Sequence, residues 1–268
     1  MTPAASAPPV SWKAVAVPVE HGGWGFLVEP LVLGLVLAPS VAGLGLAGAA
    51  VAAFLARHPL RLALMDRRKG ARYPRTVLAG RFVVGYGALA LAFVVTAVLL
   101  ARAPFWSPLL LAAPAALVAL WFDARGHSRQ ALPEAAGAVA LGASVSAIAL
   151  AGGVSAGPAF GAWALLAIRG VTAVLYVRAR LRLDRGVPSG TRTAVSSHVL
   201  GLAGAGALAA AGWGPWLGVL ALVLLLLRAV HGLSARRPRL RPQALGFLEM
   251  GWGLLTLVLL AVGYRLVL

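Results

Sequence analysis

Charged side chains inside long apolar segments are the residues of this chain best suited to chemistry. Glu29 lies within the first apolar segment, and Glu249 lies about two turns inside the last one. Arg169 lies midway along another such segment, with Tyr176 two turns further on. Ionisable groups at this depth are costly unless paired, and they commonly mark substrate or ion sites. The sequence therefore predicts that Arg169 faces a bundle interior and pairs with Glu29, Glu134 or Glu249.

The start of the first apolar segment combines these charges with small residues. Glu20 and His21 precede the glycines of 22–25, and His21 would lie about 12 Å from Glu29 along one face of a continuous helix. Glycines allow a neighbouring backbone or a ligand to approach that face closely. A substrate site and simple helix packing both fit this pattern. Glu134, directly after Pro133, is also explained by the helix dipole alone.

Two arginine-rich segments form a second candidate set. The segment 59–76 contains one acid, Asp66, among many bases, and the segment 178–192 contains Asp184 four residues after Arg180. Arginine is suited to bidentate recognition of phosphate. Basic residues are equally what cytoplasmic loops of membrane proteins carry. Charge alone therefore leaves an anion-binding surface and an ordinary cytoplasmic loop as alternatives.

Composition identifies the elements that must position these residues. Only 12% of the 268 residues are charged, 60% are hydrophobic, and mean hydropathy is +0.88. Apolar runs of about 20 residues match the hydrocarbon thickness of a bilayer. The sequence predicts an all-α integral membrane bundle of nine transmembrane helices, at 21–39, 41–58, 77–101, 104–122, 134–153, 159–177, 193–212, 215–233 and 243–266.

The basic residues predict an orientation for this bundle. Of the 24 Lys and Arg, nineteen lie at alternate connections, and only Arg102 and Arg265 lie at the opposite ones. Retention of basic residues in the cytoplasm then places the N-terminus inside and the C-terminus outside. The predicted organisation is a flexible leader over 1–19 and one transmembrane domain over 20–268, with cytoplasmic basic loops near 59–76, 123–133, 178–192 and 234–242.

The same features narrow the function classes. A net charge of +17 spread between apolar runs favours contact with anionic membrane lipids over nucleic acid. The chain has no cysteine, which removes disulfides and thiolate metal sites. No Walker A or HExxH motif occurs. We predict no cofactor and no metal ligand, and catalytic residues are left unassigned.

Several segments resemble the YwiC-like family of bacterial membrane proteins. The first is EHGGWGFLVEPLVLGLVLAPS at 20–40, and the others begin at Pro133, Leu175 and Gln243. The resemblance implies a multi-pass protein of the bacterial cytoplasmic membrane. It implies no particular reaction.

A more distant resemblance is to the UbiA-type intramembrane prenyltransferases. Nine helices with polar segments after the second and sixth are similar to that architecture, whose aspartate-rich motifs hold Mg²⁺ and a prenyl diphosphate. Here only Asp66 and Asp184 match motif aspartates, and the other expected acids are Arg, Lys or apolar. Mg²⁺ needs oxygen ligands, so a metal site of that kind is doubtful. An arginine-lined site for a lipid phosphate remains consistent with these residues.

Three functions follow from these observations. The first is a divergent UbiA-like protein that binds an isoprenoid or other lipid phosphate, with prenyltransferase-like activity an open alternative. It predicts that Asp66 and Asp184 converge on a cavity lined by the first, fifth, sixth and ninth spans. The second is a small-molecule transporter or exporter with a site at Glu29, Arg169 and Glu249, and the third is a non-catalytic assembly subunit. The candidate substrate-binding residues are Glu20, His21, Trp24, Glu29, Asp66, Arg68, Arg72, Glu134, Arg169, Tyr176, Arg178, Arg182, Asp184 and Glu249.

Overall fold

The computed structural model describes residues 11–17, 22–70 and 73–268, so Glu20, His21 and Arg72 lie outside the described residues. This part of the chain contains α-helices and no strand. The helices are α1 (Trp12–Ala16), α2 (Gly22–Leu37), α3 (Val41–Arg68), α4 (Pro74–Leu100), α5 (Trp106–Ala124), α6 (Ala131–Ala151), α7 (Ala156–Asp184), α8 (Thr191–Ala210), α9 (Trp216–Gly232) and α10 (Pro242–Val267).

The helices from α2 to α10 coincide with the predicted apolar segments to within a few residues at most ends. Seven helices in the described part of the chain are long and apolar enough to cross a membrane: α3, α4, α5, α6, α7, α8 and α10. α2 and α9 are shorter, at 16 and 17 residues. At 1.5 Å per residue they span about 25 Å, less than the roughly 30 Å hydrocarbon layer. The all-helical membrane class is confirmed, and a ninefold crossing stays a prediction.

α3 and α7 extend further than their predicted apolar segments. α3 continues through Pro59 to Arg68, and α7 continues to Asp184, so they contain 28 and 29 residues. Each is followed by a glycine with positive φ, Gly70 or Gly186. Such a backbone conformation favours glycine and commonly terminates a helix. Much of each arginine-rich segment is therefore the polar end of a long helix.

The arginine-rich connections lie together at one end of the bundle. The side chain of Arg68 donates to the carbonyl of Ala124, and that of Arg178 donates to the carbonyl of Arg129 at 2.9 Å. Arg180 of α7 donates to the carbonyl of Pro238 in the α9–α10 connection. We call this end, formed by the connections after α3, α5, α7 and α9, the basic end. Its assignment to the cytoplasm stays a prediction.

The other connections meet at the opposite end. The backbone N–H of Arg102, after α4, donates to Ala151 at the end of α6 at 2.9 Å. The hydroxyl of Tyr264, near the end of α10, donates to the carbonyl of Trp213 at 2.9 Å. Successive helices therefore alternate in direction from α2 to α10.

α7 is the helix through which the interior is organised, and it contacts α2, α6, α8, α9 and α10. Gly161 on this helix lies against the carbonyl of Trp213, where a side chain would collide. Glycine at such a contact lets neighbouring backbones approach closely. α4, by contrast, exposes large apolar side chains along much of its length, as a lipid-facing helix does. Polar side chains on the inner face of α7 are therefore placed between helices.

Candidate functional site

Arg169 joins three helices in the interior. Its Nη2 atom lies 3.0 Å from Oε1 of Glu29 on α2 and donates to the backbone carbonyl of Glu249 on α10 at 3.3 Å. Relative exposure is only 5% for Arg169 and 9% for Glu29. An arginine removed from water to this extent needs such partners. Of the three acids expected as its partner, the structure pairs Arg169 with Glu29.

A second ion pair lies beside the first. Nη1 of Arg228, on α9, lies 3.0 Å from Oε1 of Glu249. The Arg228 guanidinium also lies over the ring of Tyr176, 3.9 Å from its centroid. A cation over an aromatic face gains electrostatic stabilisation, more so when desolvated. We call Glu29, Arg169, Tyr176, Arg228 and Glu249 the buried charge cluster; it holds two acids and two arginines.

α10 approaches the first ion pair through a glycine. A side chain at Gly253 would collide with the Glu29 carboxylate and the Arg169 guanidinium. Gly253 is buried and lies one turn after Glu249. The absence of a side chain there lets the α10 backbone close over the charges and exclude water from one side.

A cavity of about 250 Å³ reaches this ion pair. It lies between α2, α6, α7 and α10, which correspond to the first, fifth, sixth and ninth predicted spans. Its lining residues are Gly25, Phe26, Glu29, Glu134, Arg169, Ala173, Val174, Val177, Gly246, Glu249 and Met250. From Arg169 to Val177 it follows eight residues of α7, or about 12 Å. Glu134 and Gly246, in the first turns of α6 and α10, place its mouth at the basic end.

The cavity wall is mostly apolar and its charges are mainly acidic. Three carboxyl groups line it, those of Glu29, Glu134 and Glu249, against one guanidinium, that of Arg169. Arg178 pairs with Glu134 at 3.2 Å near the mouth, where both side chains are about one-third exposed. The arginines that pair with Glu134 and Glu249 do not line the cavity. Carboxylates therefore predominate on the lining itself, while two arginines outside the lining balance part of their charge.

Several polar atoms of the buried charge cluster have no hydrogen-bond partner among the described residues. They are Nε of Arg169, Nε and Nη2 of Arg228, and Oε2 of Glu249. Buried polar atoms in folded proteins are normally satisfied, so exceptions point to bound water, a ligand or a functional strain. The cluster therefore retains donors and an acceptor that its own ion pairs do not use.

Asp66 lies in a separate network that ties α3 to α4. It accepts from Arg75 Nη2 at 2.6 Å and from the Thr76 hydroxyl at 2.7 Å. Arg68 is exposed and contacts the end of α5. Both aspartate oxygens are therefore engaged by neighbouring side chains, and Asp66 does not line the cavity.

Asp184 is engaged in the same way at the end of α7. It accepts from Arg180 Nε and from Arg237 Nε, each at 3.0 Å.

The remaining described candidate residues also lie outside the cavity lining. Arg182 is exposed, and Trp24 packs edge-on against Phe54 with ring centroids 5.0 Å apart. No contact of the described residues joins Asp66 to Asp184, and the cavity between the four expected helices is lined by glutamates instead. Among the described residues, no group of three His, Asp or Glu is close enough to hold a metal ion.

Arg228 is the member of the cluster that sequence reasoning missed. It was visible as a charge inside an apolar segment, four residues before the end of α9. An arginine this near a helix end can also extend its side chain to the membrane surface, so its position alone does not require an interior partner. Its pairing with Glu249 depends on how α9 is rotated, which an apolar run does not specify.

The fold and the site together define a class: a multi-pass helical membrane protein with paired charges at the base of an interior cavity. The sequence model of the YwiC-like protein family matches residues 17–149, which make up about half of the chain. The chain belongs to the YwiC-like family, and the resemblance noted from the sequence is confirmed. The match contains Glu29 and Glu134 and ends before Arg169. No curated protein and no solved structure matches the chain.

Proposed function

We propose that this protein is a transporter of a small organic solute and that the solute binds in the cavity between α2, α6, α7 and α10. The observation that carries the proposal is the meeting of Glu29, Arg169 and Glu249 at the base of that cavity. These three residues come from three helices. A solute that engages them would therefore bias how the helices pack, which is the requirement for coupling binding to a conformational change.

The lining of the cavity indicates the class of solute. Phe26, Val174 and Val177 supply apolar wall, and carboxyl groups outnumber guanidinium groups. Such a surface is complementary to a solute with an apolar body and a positively charged or hydrogen-bond-donating end. The donating end would lie against Glu29 and Glu249, and the apolar body would point towards the basic end.

The polar atoms of Arg169, Arg228 and Glu249 that have no hydrogen-bond partner support a ligand-binding site over a purely structural pair of ions. A solute that donates to Oε2 of Glu249, which has no partner among the described residues, can leave Oε1 paired with Arg228. Such binding avoids the cost of leaving a buried charge without a partner. We further propose that the protein resides in a bacterial cytoplasmic membrane with its basic end in the cytoplasm.

The experiment is uptake by the full-length protein in proteoliposomes, with benzyltrimethylammonium as the probe. This cation is permanently charged and carries an apolar ring. Wild-type protein should accumulate it above protein-free vesicles. Glu29→Gln and Glu249→Gln should each lower the initial rate by about tenfold or more, because each removes a carboxylate from the base of the cavity. Glu134→Gln, at the partly exposed mouth, is the matched control and should lower the rate less.

Equal rates in wild-type protein and both cavity variants would show that the cavity does not carry this solute. A loss of uptake that is equally large in Glu134→Gln would likewise contradict a site at the cavity base. Monodisperse elution in detergent checks that each variant is folded.

Binding of an isoprenoid or other lipid phosphate is a second candidate, favoured by the location of the cavity. It lies between the four helices that the UbiA resemblance implies, and its mouth is at the basic end next to Arg178. The prenyl chain would occupy the apolar wall and the phosphate would contact arginines at the mouth. Lipid extraction and mass spectrometry of the purified protein test it. A co-purifying polyprenyl phosphate would favour this candidate over the transporter, and its absence from several preparations would argue against it.

A further inference from the structure

A groove between α8 and α9 is separate from the cavity and from the buried charge cluster. Its walls are Val195 and Val199 of α8 with Leu226, Leu227 and Val230 of α9, and its volume is about 870 Å³. Val199, Leu227 and Val230 are each at least half exposed. These apolar walls run along two apolar helices, so the groove faces the hydrocarbon region of the membrane.

The polar residues of the groove are all at one end. His231, Ser234 and Arg236 line it where α9 finishes, which is the basic end of the bundle. Arg192, in the first turn of α8, lies three and seven residues before Val195 and Val199, and so on the same face of its helix. The groove therefore combines an apolar slot with a cationic head at the depth of a membrane surface.

These basic groups have no counter-charge within the described part of the chain. All six described Asp and Glu side chains are engaged by other arginines, as Glu29–Arg169, Asp66–Arg75, Asp123–Arg57, Glu134–Arg178, Asp184–Arg180 and Glu249–Arg228. The side chains of Arg192 and Arg236 make no ion pair or hydrogen bond with described residues. Their charge is thus available to an external anion.

We propose that the α8–α9 groove binds an anionic phospholipid. One acyl chain lies along Val195, Val199 and Leu227, and the phosphate contacts Arg192 and Arg236 with His231 beside it. A membrane lipid fits better than a free phosphate because the cationic end continues into an exposed apolar slot. An anionic lipid fits better than a zwitterionic one because no Asp or Glu among the described residues pairs with either arginine. This site is independent of the proposed transport function.

The test is native mass spectrometry of the full-length protein titrated in detergent with palmitoyl-oleoyl phosphatidylglycerol or with phosphatidylcholine of the same chains. Wild-type protein should retain the anionic lipid at about tenfold lower concentration, since each arginine near a membrane surface contributes attraction to anionic lipid. The double variant Arg192→Gln/Arg236→Gln should remove this preference. Val199→Trp, which fills the slot, should lower retention of both lipids.

The matched control is Arg67→Gln/Arg81→Gln. It removes the same charge from exposed residues of α3 and α4 towards the basic end, outside the groove, and it should keep the preference. Equal retention of the two lipids by wild-type protein would overturn the proposal, as would an equal loss in the control double variant. Glycerol phosphate and added phosphatidylglycerol can also be compared as competitors for the bound lipid. Equal displacement by the two would overturn the proposal, because the apolar slot would then contribute nothing to binding.

Discussion

Gly253 determines how closely α10 approaches the Glu29–Arg169 ion pair. Replacing it with alanine places a methyl group against both charged side chains. Overpacking of a well-packed interior costs about 1–3 kcal/mol, so Gly253→Ala should lower the thermal unfolding midpoint of the purified protein. Gly251→Ala is the control, because nothing lies within 4 Å of the side chain it adds. Since alanine favours helix over glycine at both positions, the difference between the two variants measures the collision.

An equal midpoint for the two variants would mean that α10 does not close over the ion pair. The comparison does not depend on any ligand, because both glycines lie in the same helix and only one faces the cluster. It therefore tests the geometry of the site separately from its proposed use.

Residue depth was predictable from the sequence, whereas the pairing of residues was not. The position of Arg169 midway along an apolar segment required an interior partner, but three acids met that requirement. Choosing Glu29 required the rotation of α2 and α7 about their axes, which comes from side-chain packing. The resemblance to the UbiA-type enzymes predicts that Asp66 and Asp184 converge on one cavity. Each is instead neutralised by nearby arginines on its own side of the bundle.

The α3–α4 pair shows how one acid fixes the end of a long helix. Asp66, near the end of α3, accepts hydrogen bonds from Arg75 and Thr76 in the first turn of α4. The Arg75 side chain is 45% exposed, so water screens the ion pair and its contribution is about 1 kcal/mol or less. Asp66→Asn removes the charge and one acceptor oxygen, so it should let the connection open more often. Limited trypsin digestion should then cleave after Lys69 several-fold faster, since cleavage follows the population of the open form.

Asp184→Asn is the reciprocal control for this prediction. Asp184 performs the same role at the end of α7, where it accepts from Arg180 and Arg237. Its substitution should speed cleavage after Arg185 and leave cleavage after Lys69 unchanged. Faster cleavage at both positions in either variant would indicate general destabilisation rather than local release of one helix end.

Elements were predictable from the sequence to the extent that apolar runs and glycine turns define them. The glycines at 70 and 186 are turn residues, and they mark the ends of α3 and α7 in the sequence. The extension of α3 through Pro59 was not predictable in this way, because proline usually interrupts a helix. α9 is short because Pro215 is its N-cap residue and the helix ends at Gly232. Composition therefore located the helices better than it fixed how many of them cross the membrane.

At the scale of the whole molecule, the clustering of arginine-rich connections at one end makes a prediction about the membrane. Because the chain has no cysteine, single cysteines can be introduced without first removing native ones. Lys69→Cys, His127→Cys, Val187→Cys and Ala235→Cys lie at the basic end, and Ser155→Cys and Ala211→Cys lie at the opposite end. An impermeant maleimide applied to intact cells should label the last two only, and all six after the membrane is opened. This outcome follows from retention of basic residues in the cytoplasm.

Labelling of Lys69→Cys and Val187→Cys from different faces of the membrane would show that the connections after α3 and α7 lie on opposite sides. The helices would then not alternate in direction, and the mouth of the cavity would not lie at the basic end.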